Sequence, residues 1–286
     1  MRVAAVQMKF AATIKGNLTA MERALKDAQR QRADAVLFPE CALTGYRRLL
    51  AGAIPKRDEL RRALDAVGAM AAAFGMNLLV GTPLYRGQKL YNALVVFDRR
   101  GRAVHCYAKC HLTELDRRCF APGNAVALFK LDGVWATAII CHERRYPELV
   151  RLAAMAGARI LFHPNAGLDA LSVSKRKRCG RDGISARAFE NAIYYVFANS
   201  VGAQGGGKWS AGDSKIVAPD ERVLALADNR RESVISAELD LTQATGVYAQ
   251  RGMAHPKFLA ASWRKMVAKV KAQAKREARE LIRSWR

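Results

Sequence analysis

The chain predicts a single α/β domain with mixed sheets, and three observations carry that prediction. Strand-like and helix-like apolar patterns alternate along it, the signature of a layered α/β architecture. Two consecutive strand patterns, over 90–97 and 103–108, are joined by Asp98-Arg99-Arg100-Gly101, a hairpin turn that requires antiparallel pairing inside the sheet. No linker-like stretch and no internal repeat divides the 286 residues, a length at which one large core is expected.

Taken in order, residues 2–8 alternate apolar and polar side chains, as a first strand does. Asn17 is expected to cap a helix running to Arg30, with Leu18, Met21, Leu25 and Ala28 on one face. A short buried strand over 35–38 is ended by Pro39, which leaves Glu40 just past a strand end. A helix over 58–74, stopped by Gly75, leads into strands over 77–84, 90–97 and 103–108, and Lys109 follows the last of these. The apolar run 134–140 breaks off at Cys141, and Pro147 opens a helix to Ala156 that Gly157 caps. A strand over 159–163 is closed by Asn165-Ala166-Gly167, and the basic stretch 175–178 is expected as a loop. A helix over 184–191, a strand over 192–198, a glycine loop at 205–207 and weak strands over 215–217, 223–226 and 234–238 complete the body.

Lysine and arginine number 48 against 25 acidic residues, a formal charge of +23 that predicts attraction to polyanions, nonspecific binding included. Nine basic and two acidic residues lie between Ser262 and Arg286, so most of the excess belongs to the body. The domain is therefore read as 1–262, followed by a basic amphipathic helix over 263–286 whose apolar face, Trp263, Met266, Val267, Val270, Ala274, Leu281, Ile282 and Trp285, is expected to pack on the body or a sister subunit. No apolar run reaches the length of a membrane span, and residues 1–8 are too short and alternating for a signal peptide. A cytoplasmic location is expected, where Cys41, Cys106, Cys110, Cys119, Cys141 and Cys179 stay reduced.

Three residues at strand ends form a chemical set. A thiolate from Cys141 attacks a carbonyl or nitrile carbon, the Glu40 carboxylate accepts and returns the proton, and the Lys109 ammonium stabilises the oxyanion. A lysine nearby is also expected to lower the thiol pKa. Zinc is the rival reading of Cys106, Cys110, His111 and Cys119, but their spacing matches no CxxC pair, and no metal or other cofactor is expected. A nucleic-acid-binding module is prompted by the charge, although no recognition motif is present.

Leu37-Phe38-Pro39-Glu40 with Gly45-Tyr46, then Tyr107-Ala108-Lys109-Cys110-His111-Leu112, then Cys141-His142-Glu143-Arg144-Arg145-Tyr146-Pro147-Glu148 resemble the three signatures of the nitrilase, or carbon-nitrogen hydrolase, superfamily. The resemblance spans nearly the whole chain and implies a four-layer αββα sandwich, with Glu40 as general base, Lys109 as oxyanion stabiliser and Cys141 as nucleophile. It implies an amidase or carbamoylase acting on a non-peptide C–N bond, with nitrile hydrolysis as the alternative, and a homodimer. The chain departs from the family at its second glutamate. Either Asp116, with a shorter arm, or Glu114, from a shifted loop, takes that place, and the altered carboxylate leaves open a weakened hydrolase fold serving as an interaction module. Arg144 next to Arg145 resembles the N-carbamoyl-D-amino-acid amidohydrolase branch, where such a pair binds the substrate carboxylate; guanidinium groups suit that role. The family-wide reading gives Arg145 a supporting role beside the nucleophile. His111, His142 and Asn165 complete the expected substrate contacts.

Overall fold

The computed structural model describes residues 1–176 and 185–284. In chain order its elements are β1 (Arg2–Gln7), α1 (Ile14–Arg30), β2 (Ala35–Leu37), α2 (Tyr46–Leu50), α3 (Arg57–Phe74), β3 (Asn77–Arg86), β4 (Lys89–Phe97), β5 (Ala103–Ala108), β6 (Phe129–Leu131), β7 (Val134–Ala138), α4 (Pro147–Met155) and β8 (Ile160–Asn165). After these come β9 (Asp169–Ala170), α5 (Leu171–Arg176), α6 (Ala186–Phe189), β10 (Tyr194–Asn199), β11 (Val201–Gly205), β12 (Lys208–Ala211), β13 (Lys215–Val217), β14 (Val223–Leu226), β15 (Ser233–Glu238), α7 (Val247–Ala254) and α8 (Lys257–Ser284).

The strands pair into two six-stranded mixed sheets, ordered β15-β1-β2-β3-β4-β5 and β14-β13-β10-β8-β7-β6, with a small third sheet β11-β12-β9. Alternation decides what each strand buries. Val3, Ala5, Leu37, Leu79, Leu94 and Val96 of the first sheet meet Ala136, Ala138, Ile160, Phe162 and Val196 of the second in one buried cluster. Residues of opposite parity, such as Ala4, Val36, Leu78 and Val95, face α1 and α3 through Met21, Leu25, Leu64 and Val67. On the far side, Leu161, Tyr195 and Phe197 pack under α4 and α8. The result is helix, sheet, sheet, helix, the four-layer sandwich that the motifs implied.

Strand direction sets where the chemistry collects. β1, β2 and β3 are parallel, and β4 and β5 each reverse, so β2 and β5 end on the same edge of the first sheet. Glu40 follows β2 and Lys109 follows β5 there. In the second sheet β7, β8 and β10 are parallel, and Cys141 and Asn165 stand at the ends of β7 and β8. The Glu40 amide reaches the Asn165 carbonyl at 3.4 Å, so the two sheet edges touch.

Several boundaries differ from the sequence reading, each for a local reason. Helix α1 begins at Ile14 because the Thr13 hydroxyl, not Asn17, accepts from the Gly16 amide at 3.0 Å. Asn17 is buried instead, accepting from the Ala11 amide at 2.7 Å and donating to the Leu43 carbonyl at 3.1 Å. The expected 184–191 helix is described only as Ala186–Phe189, and β8 and β10 run later than expected, to Asn165 and Asn199. The glycine loop at 205–207 is the turn of a hairpin, β11 with β12, that sequence patterning does not reveal. Lys175 and Arg176 of the expected basic loop lie in α5; Lys177, Arg178 and Cys179 fall outside the described residues. The C-terminal helix starts at Lys257, six positions before Trp263, and Val267, Val270 and Ala274 bury against the second sheet's outer layer while Met266 stays 37% exposed. Trp285 lies outside the described residues. Among those residues no helix is long and apolar enough to cross a membrane.

Gly81 on β3 passes the turn that carries Glu40 so closely that a Cβ there would stand 2.2 Å from the Pro39 oxygen and 2.7 Å from the Glu40 Cα. Gly81→Ala is therefore expected to destabilise the protein by about 1–3 kcal/mol, the range for overpacking, and to depress turnover through displacement of Glu40. Thermal melting and steady-state rates check both effects; an alanine variant with unchanged melting and rate would refute the close packing.

Candidate active site

Lys109 and Glu40 are both 0% exposed, and they are bridged: the Lys109 Nζ donates to Glu40 Oε1 at 2.8 Å. The same ammonium lies 2.9 Å from Asp116 Oδ2. A buried charge persists only where its remaining lone pairs are met. Asn92 on β4 donates to Glu40 Oε1 at 2.7 Å, and the Ala166 amide donates to Glu40 Oε2 at 3.0 Å. On Asp116, Tyr46 OH donates to Oδ1 at 2.8 Å while the Thr113 amide and hydroxyl donate to Oδ2 at 2.9 and 3.0 Å. Asp116 is thus the carboxylate that meets the lysine, and Glu114 points to solvent. The short aspartate arm reaches because the 3₁₀ turn Asp116–Arg118 folds its Cα inward, with Thr113 as its local partner.

Cys141 opens a second 3₁₀ turn, Cys141–Arg145, and holds φ at +49°, a left-handed conformation that a non-glycine residue adopts only when its surroundings enforce it. Two buried side chains enforce it here. The Cys141 carbonyl accepts from His163 Nε2 at 3.0 Å, and His163 Nδ1 in turn pairs with Tyr195 OH at 2.8 Å. Glu143, 0% exposed, accepts from the Ile140 amide at 2.7 Å through one carboxylate oxygen. Through the other it accepts from Tyr107 OH at 2.8 Å and from the Cys110 and His111 amides at 2.7 and 3.1 Å. One carboxylate therefore ties the strand end bearing Lys109 to the turn bearing Cys141.

These charges act on one another. Burial raises the Glu40 carboxyl above the usual range, against the pull of Lys109 and with the push of Asp116. Burial would lower Lys109, but Glu40, Cys141 and Asp116 outweigh it and hold the ammonium well above its ordinary value. Asp116 is lowered because Lys109 and its hydrogen-bond donors overcome burial. The Cys141 thiol is pushed up to about 12 by burial first and the Glu40 charge second, with Lys109 only partly offsetting them. Lys109 does lower the thiol, as expected, but burial and the Glu40 charge outweigh it, because the ammonium's field is shared with two carboxylates.

Around this centre the remaining expected residues are distributed unevenly. His142 is half-buried and its pKa is lowered, by burial and then by Lys109 and Arg145, so it is neutral near pH 7. His111 stacks on Tyr146 with ring centroids 3.5 Å apart, and Tyr146 meets His142 edge-on at 5.8 Å. Arg144 is half-buried, its carbonyl accepting from Arg187 at 3.1 Å, whereas Arg145 is exposed. Asn165 lies beside Glu40 through its backbone, but its side-chain amide donates to Asn199 at 2.8 Å. Asn92, Glu143 and His163 escape sequence reasoning. Only the stranded polar position of Asn92 and of His163 within apolar runs, and Glu143 two residues from the cysteine, signalled them.

The carbon-nitrogen hydrolase family model matches residues 2–248. The chain belongs to this family. It is 32% identical over 233 residues to a nitrilase of Pyrococcus abyssi (strain GE5 / Orsay), covering 79% of this chain and 84% of that one. It is 29% identical over 225 residues to the 2-oxoglutaramate amidase of Bacillus subtilis (strain 168), covering 77% and 83%. Among solved structures, an amidase from Nesterenkonia sp. superposes with a TM-score of 0.76 at 24% identity, covering 92% of this chain and 96% of that one, and shares the fold. A mutant of the amidase from Nesterenkonia sp. AN1 has been solved in complex with butyramide, with a TM-score of 0.77 at 23% identity.

Replacing Glu143 by glutamine puts an amide N–H₂ among four donors. Glu143→Gln is expected to cost about 1–3 kcal/mol of stability and to lower turnover roughly ten- to a hundredfold by loosening the cysteine turn, as loss of a supporting shell does. Chemical denaturation and kcat measure the two; a variant wild-type in both would show that the carboxylate does not hold the turn.

Proposed function

We propose that this carbon-nitrogen hydrolase is a cysteine-dependent amidohydrolase that cleaves a non-peptide amide or N-carbamoyl C–N bond and releases ammonia. The observation that carries the reading is the dry Glu40–Lys109–Asp116 cluster set electrostatically against Cys141. The substrate carbonyl enters beside the sulfur, the Cys141 proton passes to the Glu40 carboxylate, and Sγ bonds to the carbonyl carbon. Lys109 Nζ, with a backbone N–H near His142, takes up the oxyanion, as a preorganised donor does in a water-poor site. Glu40 returns the proton to the departing nitrogen, and ammonia leaves a thioester. Water, deprotonated by Glu40, attacks that thioester; the acid departs and the thiol is re-formed. A resting thiol with a high pKa suits this sequence, because proton transfer and attack then occur together, on substrate, and not on stray electrophiles.

Asp116 positions the ammonium and is the carboxylate assigned to the family's second glutamate. Arg144, half-buried beside the nucleophile turn, is assigned to a carboxylate on the substrate, and His111 and His142 to its oxygens. The Bacillus subtilis relative, named a 2-oxoglutaramate amidase, supports an amide bearing an acid group. A nitrile is the second reading, favoured by the Pyrococcus abyssi relative's name.

Ammonia release measured across amides, N-carbamoyl amino acids and nitriles is expected to be highest with an amide or carbamoyl compound that carries a carboxylate. Cys141→Ala should abolish it while leaving the fold intact, Glu40→Gln should abolish it as well, and Asp116→Asn should lower kcat by about ten- to a thousandfold, the scale of losing one preorganised charge. Full activity in Cys141→Ala would overturn the mechanism. The pH profile supplies a separate check. Glu40 works ionised and its pKa is raised, so kcat/KM should fall as pH drops through a value above the ordinary glutamate range near 4.5. An acid limb at or below that range would contradict the assignment of the base.

A further inference from the structure

The long C-terminal helix carries a feature that amide hydrolysis does not use. Between Lys257 and Arg276 it holds seven basic residues and no acidic one. Its apolar side is already occupied: Val267, Val270 and Ala274 are 4–7% exposed against the body. At about 100° per residue, Lys257, Arg264, Lys271 and Lys275 fall in one row along the outward side, and Lys265 and Lys269 in a second. The strip between the rows is made of Ala261, Ala268 and Ala272, all exposed. Two parallel lines of cations thus flank a shallow floor of methyl groups.

Surface helices ordinarily space acids four residues from their lysines. Here Lys265 with Lys269, and Lys271 with Lys275, are like-charge neighbours at that spacing, and none of the four forms an ion pair with a described residue. Such an arrangement repels itself unless an anion lies along it. The longer row extends about 27 Å and the shorter about 6 Å at 1.5 Å per residue, and the chain behind them is itself strongly basic.

We propose that this ridge binds the phosphate backbone of duplex DNA without reading its sequence. The ridge is linear and rigid, as a duplex is, and a duplex presents one charge per about 1.7 Å of its axis. Val267, Val270 and Ala274 of the apolar side, being packed inward, are not free to enter a bilayer, which an interfacial helix must do. Single strands are bound by rings that stack successive bases, and among the described residues Phe258, 81% exposed, is the one exposed ring beside these rows.

The test is fluorescence anisotropy of the full chain with a labelled 20-base-pair duplex of arbitrary sequence, repeated across salt concentrations. Six phosphate contacts predict a slope of log affinity against log salt of about −5. Replacing Lys265, Lys269, Lys271 and Lys275 by glutamine should flatten that slope by about 3 to 4 and weaken binding on the order of 100-fold at low salt, with amide hydrolysis unchanged. A control that neutralises the exposed Arg61, Arg62, Arg230 and Arg231 removes the same charge elsewhere and should change the slope by less than half as much. Circular dichroism of both variants excludes a folding defect. No duplex binding at low salt, equal loss in the control, tighter binding to a single strand of the same length, or preferential binding to phosphatidylserine vesicles would each overturn the proposal.

Discussion

The structure depends on one arrangement: an ammonium held between two carboxylates, all three buried from bulk solvent. Lys109, Glu40 and Asp116 are each 0% exposed, and moving such charges out of water carries a penalty that mutual attraction offsets only when geometry and hydrogen bonding are complete. They are complete here. Asn92 and the Ala166 amide serve Glu40; Tyr46 and Thr113 serve Asp116. These partners come from separate elements, β4, the end of β8, α2 and the loop after β5, so the cluster assembles only when the sheets, helices and loops are all in place.

The same constraint explains the chemistry. With one cation and two anions confined together, the pocket carries surplus negative character, and a thiol beside it is held neutral. In the mechanism we propose, the sulfur reacts when a proton acceptor and an oxyanion site are engaged by substrate at the same moment. The strained cysteine turn belongs to this design. A left-handed conformation at Cys141 costs on the order of 1–3 kcal/mol, and His163 and Glu143 supply hydrogen bonds that hold it. Cys41, directly after Glu40, has φ of +52°, so both edges of the site end in a forced turn.

The helical layers show a division of labour between packing and charge. α8 buries one face against the second sheet's outer layer and passes β5, covering an edge strand whose backbone would otherwise stay open to other chains. Its outward face carries exposed basic side chains among the described residues. That separation is possible because the helical repeat keeps apolar and basic positions on different sides of one rod.

Much was legible in the chain alone, for periodic reasons. The hairpin at 98–101, the α3 boundaries, β5, β13 and β14 follow from local alternation and turn residues, and the strand-end positions of Glu40, Lys109 and Cys141 follow from where apolar runs stop. Helix α1 starts four residues earlier than the sequence predicts because Thr13 and Asn17 are both competent caps and only burial against Leu43 decides between them. Sequence by itself determined the fold class, the three motif positions and the amphipathic C-terminal helix, since these rest on spacing along the chain. Tertiary structure alone decided that Asp116 and not Glu114 meets Lys109, that Glu143 and His163 brace the cysteine, and that the thiol is raised and not lowered. Those outcomes depend on distances between residues far apart in sequence and on the water excluded around them, neither of which any local pattern encodes.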